Sequence, residues 1–522
     1  MPQFRTVAAM LRHWAAATPD APMLTTGDVT LSWDEVYGRA RKVSRALAGE
    51  GVGPGDRVGF LDRNGSDYFE VFFGCALLGA VSVAVNWRLA PGEMAAIVED
   101  AGAALIFFGA EYAGAAKEMV PLVSSVRAWV PLEGFADWRD AGNSGEAEDP
   151  GFEPQPEDVV TQLYTSGTTG LPKGVMLSAS NFSTILEVAD QVFDIAPDTV
   201  SLVAMPLFHI GGTGWAISGM SHGGHSVIVR DLDPLTVLRA IERHRMTEAF
   251  LVPAVLMMLL ASPDLATTDV SSLRTIFYGA SPISEDVLVR SMSALGCDFA
   301  QVYGLTETTG AITRLMPADH DPAGPRAHLL RSAGRPFDHV QLRIVDATTG
   351  EELPAGEVGE VWTRSDQNML GYWQKPEETG SVLSAEGWFR TGDAGWLDED
   401  GYLFLHDRIK DMIVSGGENI YPAEVENALL AHPDVADAAV IGVPDERWGE
   451  TVKAIVVAAP GATIDRIALA ADVTAATRDR LAHYKCPTSI DFVDALPRNP
   501  SGKVLKRELR KPYWPEDGRN IH

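Results

Sequence analysis

YTSGTTGLPKG, Tyr164 to Gly174, gathers four small hydroxyl residues, three glycines and one lysine into a single short loop. Each has a physical use at a phosphate. Gly167, Gly170 and Gly174 let backbone amides come close to an anion, Thr165, Ser166, Thr168 and Thr169 donate hydroxyls, and Lys173 adds positive charge. Pro172 stiffens the exit. The spacing excludes a Walker A loop, which needs GxxxxGK followed by Ser or Thr.

Outward from this loop, apolar strand-like runs alternate with helical patterns: Val58–Leu61, Val81–Val85, Ala104–Phe108, Val200–Met205, Ser226–Val229 and Thr275–Tyr278. That alternation predicts an α/β fold with mostly parallel sheets in two layered subdomains. The Gly-, Pro- and acid-rich stretch Asp140–Asp158 reads as the loop joining them. From Gly334 to Leu405 short strands and turn signals predict a small β-barrel or β-subdomain. After Asp411 a glycine turn, a capped helix from Pro422, strands at 435–442 and 452–457, a helix near 464–481 and a strand near Ile490 predict a compact α+β unit. The expected division is residues 1–409, with the β-subdomain at about 334–405, and a mobile C-terminal domain at 410–522.

A chain of 522 residues with 46% hydrophobic content has ample material for more than one core. Its formal net charge of −29 repels nucleic acid and anionic membranes, so an anionic substrate must meet local cations. Cys75, Cys297 and Cys486 form no CxxC pair, which points to a reducing compartment, the cytoplasm, and excludes a cysteine zinc site. Val7, Met10, Leu11 and Trp14 share one helical face, so the N-terminus reads as a packing helix and not a signal peptide. The longest uncharged run, Val71–Val85, is shorter than the roughly 20 residues a membrane span needs.

Six further segments combine polar residues and glycines: MPLFH (205–209), YGASP (278–282), QVYGLTET (301–308), FRTGD (389–393), DRIKDMIVSGGENIYPAEVE (407–426) and PRNPSGKVLK (497–506). With YTSGTTGLPKG, in this order, they resemble the adenylate-forming superfamily of acyl- and aryl-CoA synthetases, NRPS adenylation domains and beetle luciferases. The resemblance covers nearly the whole chain. It implies a two-step reaction: a carboxylate attacks the α-phosphate of ATP to give an acyl-adenylate and pyrophosphate, and a thiol then displaces AMP. ATP, Mg2+ and CoA are the implied cofactors.

The resemblance also implies roles. Lys503 bridges the carboxylate and α-phosphate oxygens, Glu307 coordinates magnesium, and Thr306 contacts the phosphates. Asp393 accepts from both ribose hydroxyls and Arg408 reaches the ribose. Gly279, Ala280 and Ser281 edge the adenine, with Tyr303 stacked on it. His209 faces the reacting carboxylate. Lys410 is the hinge residue, where many relatives carry Asp, and Ser415, Gly416 and Gly417 then line a pantetheine tunnel. Trp448 and Lys485 are the candidate CoA contacts, although Cys486 and Thr488 stand where some relatives have extra basic residues.

The region after Phe208 carries no acid to pair with an ammonium group, which disfavours an amino-acid substrate. Gly304 stands where acetate-selective relatives place Trp, and Gly211, Gly212 and Gly214 extend the opening, with Trp215 a wall or gate. The expected substrate is a medium- or long-chain fatty acid, with an aryl acid of benzoate or cinnamate type as the alternative. Acyl transfer to a carrier protein is the alternative second step, and a homodimer is open. Gly219-Met220-Ser221-His222-Gly223 fits the GxSxG elbow of serine hydrolases, but a Gly pair and then strand-like HSVIV follow where an elbow needs a helix. A nucleotide-binding regulator without turnover would usually lose Lys503 or Glu307, and both are present.

Overall fold

The computed structural model describes residues 4–141, 147–165, 172–346, 348–408, 411–415, 418–445, 447–459, 461–462, 466–478, 480–498 and 503–514. Every strand run named from the sequence is a strand, and most pair in parallel. One seven-stranded sheet runs in the order Gly371–Tyr372, Lys173–Ser178, Val159–Thr165, Val81–Ala84, Arg57–Leu61, Ala103–Phe108, Ala128–Pro131. Its last five strands are mutually parallel, and its first three pair antiparallel. A nine-stranded sheet has a parallel centre of Pro22–Thr26, His225–Ile228, Val200–Val203, Glu248–Leu251, Thr275–Gly279 and Asp298–Leu305, flanked by antiparallel edges. Strands buried on both faces need no alternation, so Val81–Ala84, Glu248–Leu251 and Thr275–Gly279 are buried throughout.

The two sheets share one hydrophobic core, to which both contribute, from Phe60 and Phe107 to Ile276 and Phe277. Helix Ser66–Leu78 is buried on every face from Tyr68 to Leu77, a stretch apolar but for Glu70, whose carboxylate is ion-paired with Arg39 and Arg139 at 2.9 and 2.6 Å. Helix Trp33–Gly49 starts on a capping box in which Ser32 and Glu35 each satisfy the other's backbone amide. The N-terminal helix is Val7–Ala17, with Val7, Met10 and Leu11 buried and the Trp14 indole donating to the Ser221 carbonyl at 3.1 Å. Asp149, in the acidic stretch read as a joining loop, accepts from Arg12 and from the Tyr37 hydroxyl at 2.7 Å, which ties that loop to the first two helices.

Residues 341–408 form a four-stranded antiparallel sheet in the order Gln341–Val345, Gly359–Arg364, Phe389–Leu397, Leu403–Arg408. Its end strands do not pair with each other among the described residues, so this subdomain is an open sheet and not a closed barrel. Beyond it, Ile413–Ser415, Glu418–Ile420, Val435–Asp445, Gly449–Ala458 and Ser489–Phe492 make a further sheet. Helices Pro422–Leu430 and Arg466–Arg478 pack on one face through Val425, Leu429 and Leu469; Leu509 and Tyr513 cover the other around Ile441 and Ile455. The helix from Pro422 carries proline in its first turn and no side-chain cap. The expected boundary at 409/410 falls outside the described residues. No helix among them is long and apolar enough to cross a membrane.

Candidate active site

Val159–Thr165 and Lys173–Ser178 pair antiparallel with Thr165 opposite Lys173, so the hydroxyl-rich loop is the connection between them. Ser166, Gly167, Thr168, Thr169 and Gly170 lie outside the described residues. The Lys173 ammonium is ion-paired with Glu378 and sits 4.9 Å over the Tyr372 ring. Gly174 is needed for packing: a Cβ there would lie 2.5 Å from the Gln162 amide nitrogen. Tyr164 donates to Asp100 at 2.6 Å, and burial pushes its phenol well above the ordinary range, so it anchors the hairpin.

The other candidates cluster at the carboxyl ends of neighbouring parallel strands, where open α/β sheets leave a crevice. Thr275–Gly279 ends in Ala280, whose φ of +64° is rare for a residue with a Cβ, then Ser281. Its neighbour Asp298–Leu305 carries Tyr303, whose hydroxyl donates to Asp393 at 2.7 Å. Asp393 is in backbone register with Arg408, so the ribose candidates occupy paired positions on Phe389–Leu397 and Leu403–Arg408. Thr306–Thr308 is a short 3-10 turn, and the Glu307 carboxylate accepts from the Tyr372 hydroxyl at 2.9 Å. No group of three His, Cys, Asp or Glu able to hold a metal occurs among the described residues. One carboxylate is nevertheless the donor set that suits magnesium arriving on a triphosphate, because that ion keeps waters and phosphate oxygens as its remaining ligands.

His209 precedes helix Ile210–Met220, its ring 4.6 Å from that of Phe208, which meets Trp87 edge-on at 6.1 Å. Arg88 lies over Trp87 at 4.6 Å. Burial first, and the Arg88 charge second, push His209 down to about 4, so its imidazole is neutral at physiological pH. Its Nε2 and the Trp87 Nε1 are both buried without a hydrogen-bond partner among the described residues, the condition in which a ligand's polar group is worth most. Asn64 pins this turn: its amide donates to the Met205 and Val229 carbonyls at 3.0 and 3.3 Å and accepts from the Leu207 amide at 3.0 Å. Asn64 opens an Asn-Gly-Ser sequon but is 5% exposed and unavailable to a glycan.

Burial also pushes His225 down to about 4. Between pH 6.5 and 4 the unfolded chain therefore binds protons at His209 and His225 that the folded chain does not. Stability should fall as pH falls through that window, by up to about 2 kcal/mol per histidine at pH 5. Urea unfolding at pH 7 and pH 5 measures the loss, which His225→Gln should reduce; an equal loss in that variant would contradict the assignment.

A cavity of about 100 Å³ opens between Ala280, Gly304 and helix Ile210–Met220, walled by Phe193, Trp215, Phe250 and Phe337 with Val188 and Val192 beyond. Trp215 is fixed by its indole donating to the Leu202 carbonyl at 2.8 Å. The glycines here differ in purpose. A Cβ at Gly304 would lie 1.8 Å from the Gly310 carbonyl oxygen, and one at Gly212 2.2 Å from that of Pro206. Both positions keep backbones close, so the room at Gly304 is not space a side chain could take without moving the neighbouring strand. At Gly211 and Gly214 the added atom would meet only the side chains of Phe250 and Ile210, at 3.0 and 3.1 Å. Those two glycines open the cavity.

The C-terminal candidates sit on their own sheet. Lys503 is half-buried beside the Arg498–Val504 backbone bridge, flanked by the ion pairs Arg498–Asp437 at 2.6 Å and Lys506–Glu426 at 2.9 Å. Ser415 ends a strand and pairs with Glu418 and Gly449; Lys410, Gly416 and Gly417 lie outside the described residues, as does the side chain of Arg408. Trp448 is 48% exposed under the Arg447 guanidinium, whereas the Lys485 ammonium is held by both Glu424 carboxylate oxygens at 2.8 Å. The hydrolase-like Ser221 follows a helix and is 2% exposed, and its hydroxyl donates to the Ser218 carbonyl at 2.6 Å; it is a structural group and not a nucleophile.

Sequence reasoning missed the roles of Tyr372, Glu378, Asn64 and Arg88. None lies in a quoted motif, and contacts such as Asn64 to Leu207 cross more than a hundred residues, so the sequence carried no signal for them.

The pattern of the family described as AMP-binding enzyme matches residues 11–373, and that of the AMP-binding enzyme C-terminal domain matches residues 424–503. Among characterised proteins, the chain is 40% identical to the fatty acid–[acyl-carrier-protein] ligase ScoC of Streptomyces coeruleorubidus, over 100% of this chain and 99% of that protein. It is 38% identical to a feruloyl-CoA synthase of Amycolatopsis sp, over 96% and 97%. Among solved structures, the anthranilate CoA ligase AuaEII in complex with anthranoyl-AMP superposes with a TM-score of 0.89 at 28% identity, over 98% of both chains. ATP-bound MatB from Rhodopseudomonas palustris superposes with a TM-score of 0.87 at 29% identity, over 97% and 99%. A likeness that runs through both family segments and through full-length proteins at such identities reflects common descent: the chain belongs to the AMP-binding enzyme family.

Proposed function

We propose that this chain is an AMP-forming acid–thiol ligase: it activates a hydrophobic carboxylic acid as the acyl-adenylate, releasing pyrophosphate, then transfers the acyl group to CoA, releasing AMP. The observation that carries this reading is the apolar cavity beginning at Ala280 and Gly304, beside the Tyr303–Asp393 pair assigned to the nucleotide. An acid in that cavity would present its carboxylate toward the nucleotide side. The neutral His209 would orient it, with Glu307 holding magnesium on the phosphates, Thr165 and Lys173 contacting them, and Lys503 bridging carboxylate and α-phosphate. Magnesium supplies charge neutralisation at the phosphates. In this reading residues 1–409 form the N-terminal domain and 410–522 the domain that delivers Lys503, and the enzyme works in the cytoplasm.

At about 100 Å³ the cavity is smaller than an aryl or fatty acid needs, so such a substrate would widen it or extend from it past Val188 and Val192. Gly214→Leu, which fills the cavity from its helix wall, should lower kcat/KM for bulky acids by about 10- to 200-fold and leave butyrate nearly unchanged. An equal loss for every acid would remove the cavity from the substrate site.

A second reading, transfer to a carrier-protein thiol, is favoured by Lys485. Its charge is engaged by Glu424, with Cys486 and Thr488 beside it, so little cationic surface is offered there to CoA phosphates. The test is pyrophosphate release with ATP and magnesium across fatty, aryl and amino acids, with AMP and acyl products followed by mass with CoA, with a holo carrier protein, and with neither. CoA-dependent thioester from one acid class is the expected result. Thioester only with the carrier would select the second reading, and no pyrophosphate with any acid would overturn both.

A further inference from the structure

The segment Gly371–Thr379 reaches the exit of the phosphate loop and the metal-ligand candidate at once. Gly371–Tyr372 pairs with Met176 and Val175, and the Trp373 amide donates to the Gly174 carbonyl at 2.8 Å. The Tyr372 hydroxyl donates to Glu307, while its ring lies beneath the Lys173 ammonium. Glu378, in the first turn of helix Pro376–Val382, pairs with Lys173 and lies 3.8 Å from Lys375. The helix has other anchors: Thr379 Oγ1 accepts from the Tyr372 amide at 2.9 Å and donates to the Lys375 carbonyl at 2.8 Å, and Val382 and Leu383 pack on the large core.

We infer that Glu378 is a built-in stand-in for a nucleotide phosphate, holding the Lys173 ammonium at the loop exit until ATP arrives and then exchanging it for a phosphate oxygen. This rests on the reading of the loop as the ATP site. Three features support an exchange in place of a permanent brace. The Lys173 side chain is 14% exposed and would lose much of its hydration with no counter-charge, so an anion is needed whenever nucleotide is absent. The Glu378 side chain is 33% exposed, so its carboxylate can return to water when released. Lys375 is close enough to receive it. Glu378 is thus a positioning residue: it acts on the nucleotide through Lys173, while Tyr372 in the same segment orients Glu307. In a chain of net charge −29, a carboxylate beside an anion site is otherwise a liability, and pairing with Lys173 gives it a use.

The test is Mg·ATP affinity by calorimetry for the unaltered chain, Glu378→Gln, Glu378→Asp, Lys173→Ala and the Lys173→Ala/Glu378→Gln pair. Removing the competing carboxylate should tighten ATP binding by about two- to fivefold, the scale of a part-exposed ion pair. The tightening should vanish when Lys173 is absent, and Glu378→Asp should behave as the unaltered chain. Unchanged or weaker binding in Glu378→Gln, or the same change with and without Lys173, would make the pair a structural brace and overturn the inference. Absence of ATP binding by the unaltered chain would overturn the nucleotide reading and this one together, an outcome visible before any substitution is compared.

Discussion

Lys503→Ala should slow adenylate formation, followed as ATP–pyrophosphate exchange, by about 10²- to 10³-fold, the scale on which removing a fixed charge stabiliser lowers a rate. Thioester formation from supplied acyl-adenylate should stay near the unaltered rate. The asymmetry has a Coulombic origin: a carboxylate approaching a phosphate oxygen at 4 Å is opposed by about 4 kcal/mol per charge pair in a partly desolvated site, and the second step brings no such approach. The substitution also leaves its own segment anchored. Arg498–Asp437, Lys506–Glu426 and the packing of Val504 and Leu509 on Ile441 and Ile455 remain. Comparing unfolding midpoints separates loss of this role from loss of stability. Equal loss of both half-reactions would count against the bridging role.

Glu307→Gln should lower the same exchange by about 10²-fold at fixed magnesium, with part of the loss recovered as magnesium is raised, because the change removes charge from a hard-ion ligand while keeping its shape. The Tyr372 hydroxyl can still donate to the amide oxygen, so the local structure should hold. Tyr372→Phe is the control. It keeps the carboxylate and removes one hydrogen bond to it, and about a tenfold loss is expected. A Tyr372→Phe loss as large as that of Glu307→Gln, with no response to magnesium in either, would show that Glu307 serves packing and not the metal.

Much of this was legible before any coordinates. Buried parallel strands announce themselves as mostly apolar runs, as at Val81–Ala84 and Thr275–Gly279, whereas Glu248–Leu251, which opens on a charged residue, was not read as a strand. The stretch expected to be a small β-barrel or β-subdomain holds a four-stranded sheet whose end strands do not pair among the described residues, because turn spacing reports strand number and not whether the two end strands meet. The glycines were the least legible residues. Gly214 opens a cavity, Gly212 admits the Pro206 carbonyl, Gly304 admits that of Gly310, and Gly174 makes room for Gln162, yet all four look alike in sequence.

The amino-acid order by itself determined the alternation of strands and helices, the hydroxyl-rich loop with its lysine and the ordered set of motifs, because periodicity and loop chemistry are local properties. Tertiary structure alone decided which distant groups share a charge or a proton: Glu378 on Lys173, Tyr372 on Glu307, Tyr303 on Asp393, Asn64 on Leu207 and Arg88 near His209. Such pairings depend on sheet order and register, which bring residues tens to hundreds of positions apart within hydrogen-bond distance. The cavity follows the same rule, since its size depends on how helix Ile210–Met220 lies against Phe193, Phe250 and Phe337, residues contributed by three separate segments.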